Sequence, residues 1–257
     1  MNFEKRLKYI FIHIRKIGFV STIDYFLQRL LKSKDMLIKL NIGSLPHSIF
    51  LRNKTYDVFI FYQIFIKEDL LFDYKPPVST ILDCGANIGL ATLYYQKKFP
   101  GARIISIEPE NDNYELLLRN TKDYSNIITL KTGVFSEDCD LNVVDIGEGE
   151  ASYRIMRNPG PWKIIQTVKC RSINSIMKEF LFPEIDILKM DIEGSEKECL
   201  FANDIEWLQK TKHFLLEIHE NIHPGITNKI LELIPSSSKI STHGEYTIIE
   251  NNLTKSL

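Results

Sequence analysis

The chain has 257 residues, of which 25% are charged and 44% are hydrophobic. Its 32 lysine and arginine residues nearly balance its 33 aspartate and glutamate residues, so the formal net charge is −1. This balance excludes a protein that attracts nucleic acid through a global positive field, and the length suits one α/β domain with an N-terminal appendage.

Cysteine usage and hydropathy bear on the cellular compartment. The four cysteines lie far apart and form no Cys-x-x-Cys motif, which is typical of reduced thiols in a cytosolic protein. No stretch reaches the roughly 18 consecutive apolar residues of a membrane-spanning helix. The apolar run near the start is too short for a secretory signal peptide. We therefore expect a cytoplasmic protein.

Residues 1–35 are predicted to form an amphipathic helical segment. Within 3–32, apolar residues recur at three- and four-residue spacing and basic residues occupy the other faces. Two interpretations are open. The apolar face packs on its own domain or on a second copy in a homodimer, which is the commoner use of such helices. Alternatively, it lies on an anionic membrane surface and makes the protein membrane-peripheral.

Residues 36–77 are predicted to form a cap that precedes the core. Strands are expected at 36–42 and 47–51 around a Gly-Ser-Leu-Pro turn, followed by an aromatic-rich helix at 56–66. We interpret the aromatic residues mainly as a packing face over the sheet edge. Asp57 and Tyr62 are secondary candidates for contact with a ligand.

Strand and helix patterns alternate from residue 78 to 257, which predicts a mostly parallel sheet with helices on both faces. In such sheets ligands bind outside the carboxyl ends of the strands. A stretch at about 134–183 is too long for a minimal βα repeat, so it is predicted to be a β-rich insertion, either a lid or a support for the sheet edge. The predicted elements are strands 78–83, 103–107, 127–131, 185–190 and 213–218, helices 90–99, 111–122, 195–209 and 226–234, and a closing hairpin of 239–242 and 246–250.

The turn Asp83-Cys-Gly-Ala-Asn-Ile-Gly89 is the most informative segment. Its two glycines allow close approach of a ligand, and Glu108, which follows the next strand, is placed to accept hydrogen bonds from ribose hydroxyls. A dinucleotide-binding loop has a third glycine for the pyrophosphate. Here that glycine is missing, and Asp83 suits an ammonium group better than a phosphate. The pattern therefore favours S-adenosylmethionine over NAD.

A second motif, Lys189-Met-Asp-Ile-Glu-Gly194, ends a strongly apolar strand. Carboxylates beside a crevice are costly to desolvate unless they have partners. The candidate partners of Asp191 and Glu193 are Lys189, a substrate hydroxyl, the cofactor ammonium or a divalent cation. Ser195 and Glu196 are explained more simply as the start of a helix.

These two motifs, with Glu108-Pro-Glu110 and Glu217-Ile-His219, resemble the FkbM-type family of S-adenosylmethionine-dependent methyltransferases over about residues 50–220. The resemblance implies a Rossmann-like class I methyltransferase with a seven-stranded sheet and a C-terminal β-hairpin. It also implies O-methylation, and the expected acceptor is a sugar hydroxyl in a glycan or natural product. The alternatives are an NAD- or nucleotide-sugar-linked oxidoreductase and a non-catalytic cofactor-binding scaffold.

The expected partner is thus a small-molecule or glycan acceptor and not a nucleic acid. We expect Asp191 to accept the proton of the acceptor hydroxyl, with His219 as its competitor. If Asp191 instead holds the cofactor ammonium, this role passes to His219 or Glu217. Asp191 and Glu217 are also candidate ligands of Mg²⁺. The other predicted site residues are Asp83, Gly85, Ala86, Asn87, Gly89, Glu108, Pro109 and Ser136 for the cofactor, and Glu193, Glu217 and Trp162 for the substrate.

Overall fold

The computed structural model describes residues 3–147 and 153–251. The N-terminal half contains α1 (Phe3–Ile17), α2 (Phe19–Leu31), β1 (Leu37–Leu40), β2 (Ile49–Arg52), α3 (Tyr56–Phe61), a π-helical turn (Tyr62–Lys67), β3 (Thr80–Cys84), α4 (Leu90–Lys98), β4 (Arg103–Ile107), α5 (Asn111–Thr121) and β5 (Ile127–Leu130). The remainder contains β6 (Gly133–Val134), β7 (Cys139–Asp145), β8 (Arg154–Met156), β9 (Lys163–Arg171), α6 (Ile173–Glu179), β10 (Ile185–Met190), α7 (Glu196–Leu200), α8 (Glu206–Gln209), β11 (Thr211–Glu217), α9 (Ile226–Leu233), β12 (Lys239–His243) and β13 (Tyr246–Glu250).

A seven-stranded sheet with the order β12-β13-β11-β10-β3-β4-β5 forms the centre of the protein. The five strands from β11 to β5 are parallel, and β13 and β12 add to β11 as an antiparallel hairpin. The predicted fold class is confirmed. All six residues of β10 are buried, because this strand lies between two neighbours and is covered on both faces.

Apolar side chains alternate between the two faces of the sheet and build a core on each side. In β3, Ile81 joins one cluster with α4 and the β1–β2 hairpin, and Leu82 joins the other with α6 and Trp207. This two-sided burial follows from the period of two along a strand. It leaves only the strand ends and the loops beyond them open to a ligand.

The insertion after β5 forms a sheet of its own with the order β6-β9-β7-β8. It has a small separate core that includes Phe135, Leu141, Val143 and Ile155. Part of the predicted insertion, residues 148–152, lies outside the described residues. The β-rich character of the insertion agrees with its sequence pattern.

Three predicted helices differ in detail. The segment 3–32 divides at Gly18, whose φ of +90° favours glycine. The helix predicted at 56–66 changes to a π-helical turn at Tyr62, and the helix predicted at 195–209 is two short helices separated by 201–205. In that separating segment the Asp204 side chain accepts a hydrogen bond from the Glu206 N–H at 3.4 Å. Aspartate side chains often bind nearby backbone N–H groups in this way, and such bonds compete with the backbone hydrogen bonds of a helix.

Both N-terminal helices pack on the cap, but through only some of the apolar residues that recur at three- and four-residue spacing. His13 and Ile17 of α1 and Thr22 and Tyr25 of α2 are buried, whereas Leu27 is half exposed. Of the predicted apolar face, Ile17 is buried and Phe26 packs against the core, whereas Ile10, Leu27, Leu30 and Leu31 are exposed, so packing on the same domain covers only part of that face. None of the helices within 3–147 and 153–251 combines the length and hydropathy that crossing a bilayer requires.

Candidate active site

A cleft opens at the carboxyl ends of β3, β4, β10 and β11, as expected for a parallel sheet. Its empty space is about 1280 Å³ including the open mouth. The lining comes from the glycine turn, the ends of these strands, the π-helical turn, the insertion and the C-terminal hairpin. Predicted site residues that line it are Gly85, Ala86, Asn87, Glu108, Pro109, Asp191, Glu193 and Glu217.

Gly85 is required by the close approach of two loops. Its φ is +76°, and a Cβ atom there would lie 1.8 Å from the Asp191 carbonyl oxygen. The Gly85 and Ala86 N–H groups both donate to the Ile107 carbonyl, at 3.1 and 2.8 Å. The turn is therefore held against the two neighbouring strand ends, with its backbone exposed to the cleft.

Glu108 is held in place by backbone donors. Its Oε2 accepts from the Asn87 N–H at 2.8 Å and its Oε1 from the Glu110 N–H at 3.0 Å. Burial nevertheless raises the pKa of Glu108 to about 7. Since a carboxylate oxygen has more than one acceptor position, both oxygens can still accept from the hydroxyls of a ribose.

Asp83 lies beneath the cleft rather than in its lining. The residue is fully buried, its Oδ2 accepts from the Thr92 hydroxyl at 2.7 Å, and its Oδ1 lies 3.6 Å from Lys189 Nζ. This geometry does not place Asp83 in direct contact with a cofactor ammonium, which is the contact that the sequence suggested. As Asp83 is a strand residue, its side chain points to a face of the sheet instead of past the strand end.

Lys189 connects this buried carboxylate to the cleft. Its Nζ donates to the Gly85 carbonyl at 2.8 Å and lies 3.3 Å from Asp191 Oδ2. Burial alone would lower the pKa of Lys189, but Asp191 and Asp83 raise it well above the ordinary value. Lys189 is thus a fixed cation that orients Asp191.

Asp191, Glu217 and His219 are brought together by the parallel pairing of β10 with β11. Each offers one potential ligand atom within 4.8 Å of the others. Burial and the charge of Asp191 raise the pKa of Glu217 to about 9. Burial also raises the pKa of Glu193. The carboxyl groups of Asp191, Glu193 and Glu217 thus form one acidic wall, in which the Glu217 carboxyl keeps its proton at neutral pH and can donate a hydrogen bond as well as accept one.

His219 does not line the cleft, and both its ring nitrogens face carboxylates. Nδ1 lies 3.1 Å from Glu196 Oε1, and Nε2 lies 3.4 Å from Glu193 Oε2. Burial would lower the pKa of His219, but these two carboxylates raise it to about 11. An imidazolium cannot accept a proton, so the arrangement suits a residue that holds Glu193 and not a general base.

Other predicted site residues lie outside the lining. Gly89 packs beneath it against Leu117; Ser136 is not in the lining, and Trp162 is 43% exposed. The secondary candidates Asp57 and Tyr62 pair with Arg52 and pack on Tyr9, respectively. Polar lining residues that the sequence did not suggest are Gln63, Asp69, Asn113, Glu245 and Tyr246.

A family model of the methyltransferase FkbM domain matches residues 83–239, which is more than half of the chain and includes both motifs. The chain belongs to the FkbM methyltransferase family. This FkbM-family protein is therefore an S-adenosylmethionine-dependent methyltransferase, and the oxidoreductase alternative is not supported.

Two curated relatives and one solved structure illustrate the similarity. Methyltransferase sdnD of Sordaria araneosa is 26% identical over 202 residues, covering 65% of this chain and 78% of its own. Hexuronic acid methyltransferase AglP of Haloferax volcanii is 25% identical over 174 residues, covering 67% and 68%. The crystal structure of methyltransferase FkbM from Methylobacillus flagellatus has a TM-score of 0.47 and 19% identity over 68% of this chain, but less than half, 44%, of its own.

The charged groups of the cleft fit the donor that this family uses. Within the described part of the chain, Lys189 is the single basic residue in the lining, against six carboxyl groups: Asp69, Glu108, Asp191, Glu193, Glu217 and Glu245. S-adenosylmethionine carries a sulfonium and an ammonium and no phosphate. A pyrophosphate would meet like charge at this wall.

Proposed function

We propose that this methyltransferase transfers a methyl group to a hydroxyl oxygen of a sugar in a glycan or natural product. The observation that carries the proposal is the acidic wall formed by Asp191, Glu193 and Glu217. Carboxylates accept hydrogen bonds from hydroxyl groups and are a common means of holding sugars. The printed name of the Haloferax relative, a hexuronic acid methyltransferase, agrees with a carbohydrate acceptor.

The charged groups of this wall favour a neutral acceptor over an acceptor that carries a carboxylate. An acceptor that carries its own carboxylate would find the two cations of this wall already engaged. Lys189 lies 3.3 and 3.6 Å from Asp191 and Asp83, and His219 lies 3.4 and 3.1 Å from Glu193 and Glu196. Like charges in a partly desolvated site repel strongly. A neutral sugar with hydroxyl groups therefore fits this cleft better than a uronic acid.

Asp191 is the proposed proton acceptor. When bound, S-adenosylmethionine supplies a methyl group that is already electrophilic. The protein then has to align the acceptor oxygen and accept its proton. Asp191 lines the cleft, is oriented by Lys189, and has neighbours in Glu217 and Glu193 that can hold adjacent hydroxyls.

A divalent cation stays a prediction. The Asp191 and Glu217 oxygens suit Mg²⁺, but the third group of the cluster, His219, is engaged by two carboxylates, and Mg²⁺ prefers oxygen ligands. We propose direct hydrogen bonding of the sugar to the carboxylates. Activity that disappears with EDTA and returns with Mg²⁺ would favour the metal instead.

The decisive experiment measures transfer of a labelled methyl group onto glycan and lipid-linked sugar extracts. The products are then divided by treatment with mild alkali, which hydrolyses a methyl ester but leaves a methyl ether intact. Alkali-stable label on a sugar is the expected result. Label that alkali releases would indicate a carboxyl acceptor, and no incorporation despite binding of S-adenosylhomocysteine would favour the non-catalytic scaffold.

A further inference from the structure

The second helix has an apolar face directed away from the protein. In α2, Thr22 and Tyr25 are buried against the cap. Leu27 lies about 200° around the helix from Tyr25 at 3.6 residues per turn. Its neighbours on that outer side are apolar as well, and Leu30 and Leu31 are 78% and 80% exposed.

The first helix packs on the second through Tyr9 and Phe26, whose rings lie 5.9 Å apart, and it also exposes apolar side chains. We define the apolar face as the nine exposed side chains of the two helices: Leu7, Ile10, Phe11, Phe19, Val20, Ile23, Leu27, Leu30 and Leu31. They are nine of the 19 large apolar side chains that are exposed within the described ranges. Such concentration in two adjoining helices is typical of a site that contacts another protein or a membrane.

Charge distinguishes between these two occupants. Residues 1–35 contain eight basic and three acidic residues, a net charge of +5 in a chain whose total is −1. The exposed cations of α1 include Arg6, Lys8 and Arg15. A two-fold homodimer would place this positive segment against its own copy, whereas an anionic bilayer is complementary to it.

We propose that the apolar face binds an anionic phospholipid bilayer. The leucines of α2 lie at the boundary between headgroups and acyl chains, and Arg6, Lys8 and Arg15 contact lipid phosphates. An apolar face with basic residues beside it is the pattern of helices that lie in the membrane interface.

The two helices are attached firmly enough to orient the whole protein on such a surface. Gln28 of α2 exchanges two hydrogen bonds with the backbone of Lys39, at 2.7 and 3.0 Å. Lys16 of α1 pairs with Glu68 at 2.5 Å. The π-helical turn contacts α1 through Tyr62, whose ring lies 5.3 Å from that of Tyr9, and lines the cleft through Gln63. The cleft would thus lie close to the bilayer.

Flotation of the full chain with lipid vesicles tests the proposal independently of methyl transfer. We expect flotation with vesicles of phosphatidylcholine and phosphatidylglycerol, and much less with phosphatidylcholine alone. Leu30→Glu/Leu31→Glu should weaken binding by about tenfold or more, because two buried leucines are lost. Lys8→Gln/Arg15→Gln should weaken it by about fivefold per charge. Leu181→Glu is the matched control, since Leu181 is 81% exposed but lies outside the face.

Each alternative to bilayer binding predicts a different experimental result. Wild-type protein that stays unbound to anionic vesicles overturns the proposal, as does equal loss of binding in the Leu181→Glu control. A dimer in light scattering that Leu30→Glu/Leu31→Glu dissociates, with no vesicle binding, would assign the face to a second copy. Binding of S-adenosylhomocysteine should be unchanged in all these variants, which separates a failed docking proposal from a failed enzymatic one.

Discussion

Lys189→Met would leave the Asp83 carboxylate without a nearby cation in the core. Asp83 is fully buried and Lys189 Nζ lies 3.6 Å from it. Removing one partner of a buried ion pair costs about 3–5 kcal/mol, because the remaining charge stays desolvated. Asp191 adds little to this cost, since its side chain is 22% exposed. We expect the urea midpoint to fall by about 1–2 M.

Two further variants make this prediction specific. Asp83→Asn combined with Lys189→Met removes the unpaired buried carboxylate and should recover about half of the free energy of unfolding that Lys189→Met loses. Lys210→Met is the matched control, since Lys210 pairs with Glu206 at 2.7 Å on the surface and should cost less than about 1 kcal/mol. If Lys189→Met unfolds at the wild-type urea concentration, or if the double variant is no more stable than the single one, the reasoning is refuted.

Three other predictions concern the cleft. Asp191→Asn should reduce methyl transfer by about 10²–10⁴-fold without changing the calorimetric affinity for S-adenosylhomocysteine; a large loss of that affinity would show that Asp191 holds the ammonium instead. Affinity for S-adenosylhomocysteine should decrease as the pH falls below 7, by up to about tenfold per pH unit, because Glu108, with its pKa raised to about 7, loses acceptor capacity on protonation. Glu108→Gln should flatten this profile, and a wild-type profile that is already flat contradicts the assignment. Gly85→Ala should abolish binding or folding, since its Cβ would lie 1.8 Å from a backbone oxygen, while Gly43→Ala, which has no neighbour within 4 Å, should behave as wild type in thermal unfolding and calorimetry.

The sheet and its acidic strand ends were predictable because they depend on local pattern. An apolar run followed by Asp191 predicts a strand that ends in a carboxylate, and the alternation of strands and helices predicts that such ends meet at one edge. The position of Glu108 follows from the same rule. For these residues the structure agrees with the placement that the sequence suggested.

The directions of individual side chains were harder to predict from the sequence. Asp83 was expected to face a ligand, but it points down to Lys189 and Thr92. Likewise, the helical period in α2 did not reveal that Tyr25 is buried while Leu27 is exposed. The spacing of apolar residues identifies one face of a helix, but only the rest of the fold determines whether that face is buried.

The cleft residues of the C-terminal hairpin are positioned by strand pairing between segments that lie far apart in the sequence. Tyr246 reaches the cleft because β13 runs antiparallel to β11 and brings it opposite Glu217. The hairpin pattern alone predicts two strands but not their partner or their register. Glu245 and Tyr246 were therefore absent from the predicted site.

The position of this last strand has a consequence for how the enzyme matures. The family match ends at residue 239, yet Tyr246 beyond it completes one wall of the cleft. During synthesis the glycine turn and Glu108 emerge from the ribosome first, and the wall that contains Glu217 and Tyr246 stays unfinished until the final hairpin is translated. A nascent chain that stops short of β13 would thus contain both signature motifs and still lack a complete catalytic chamber.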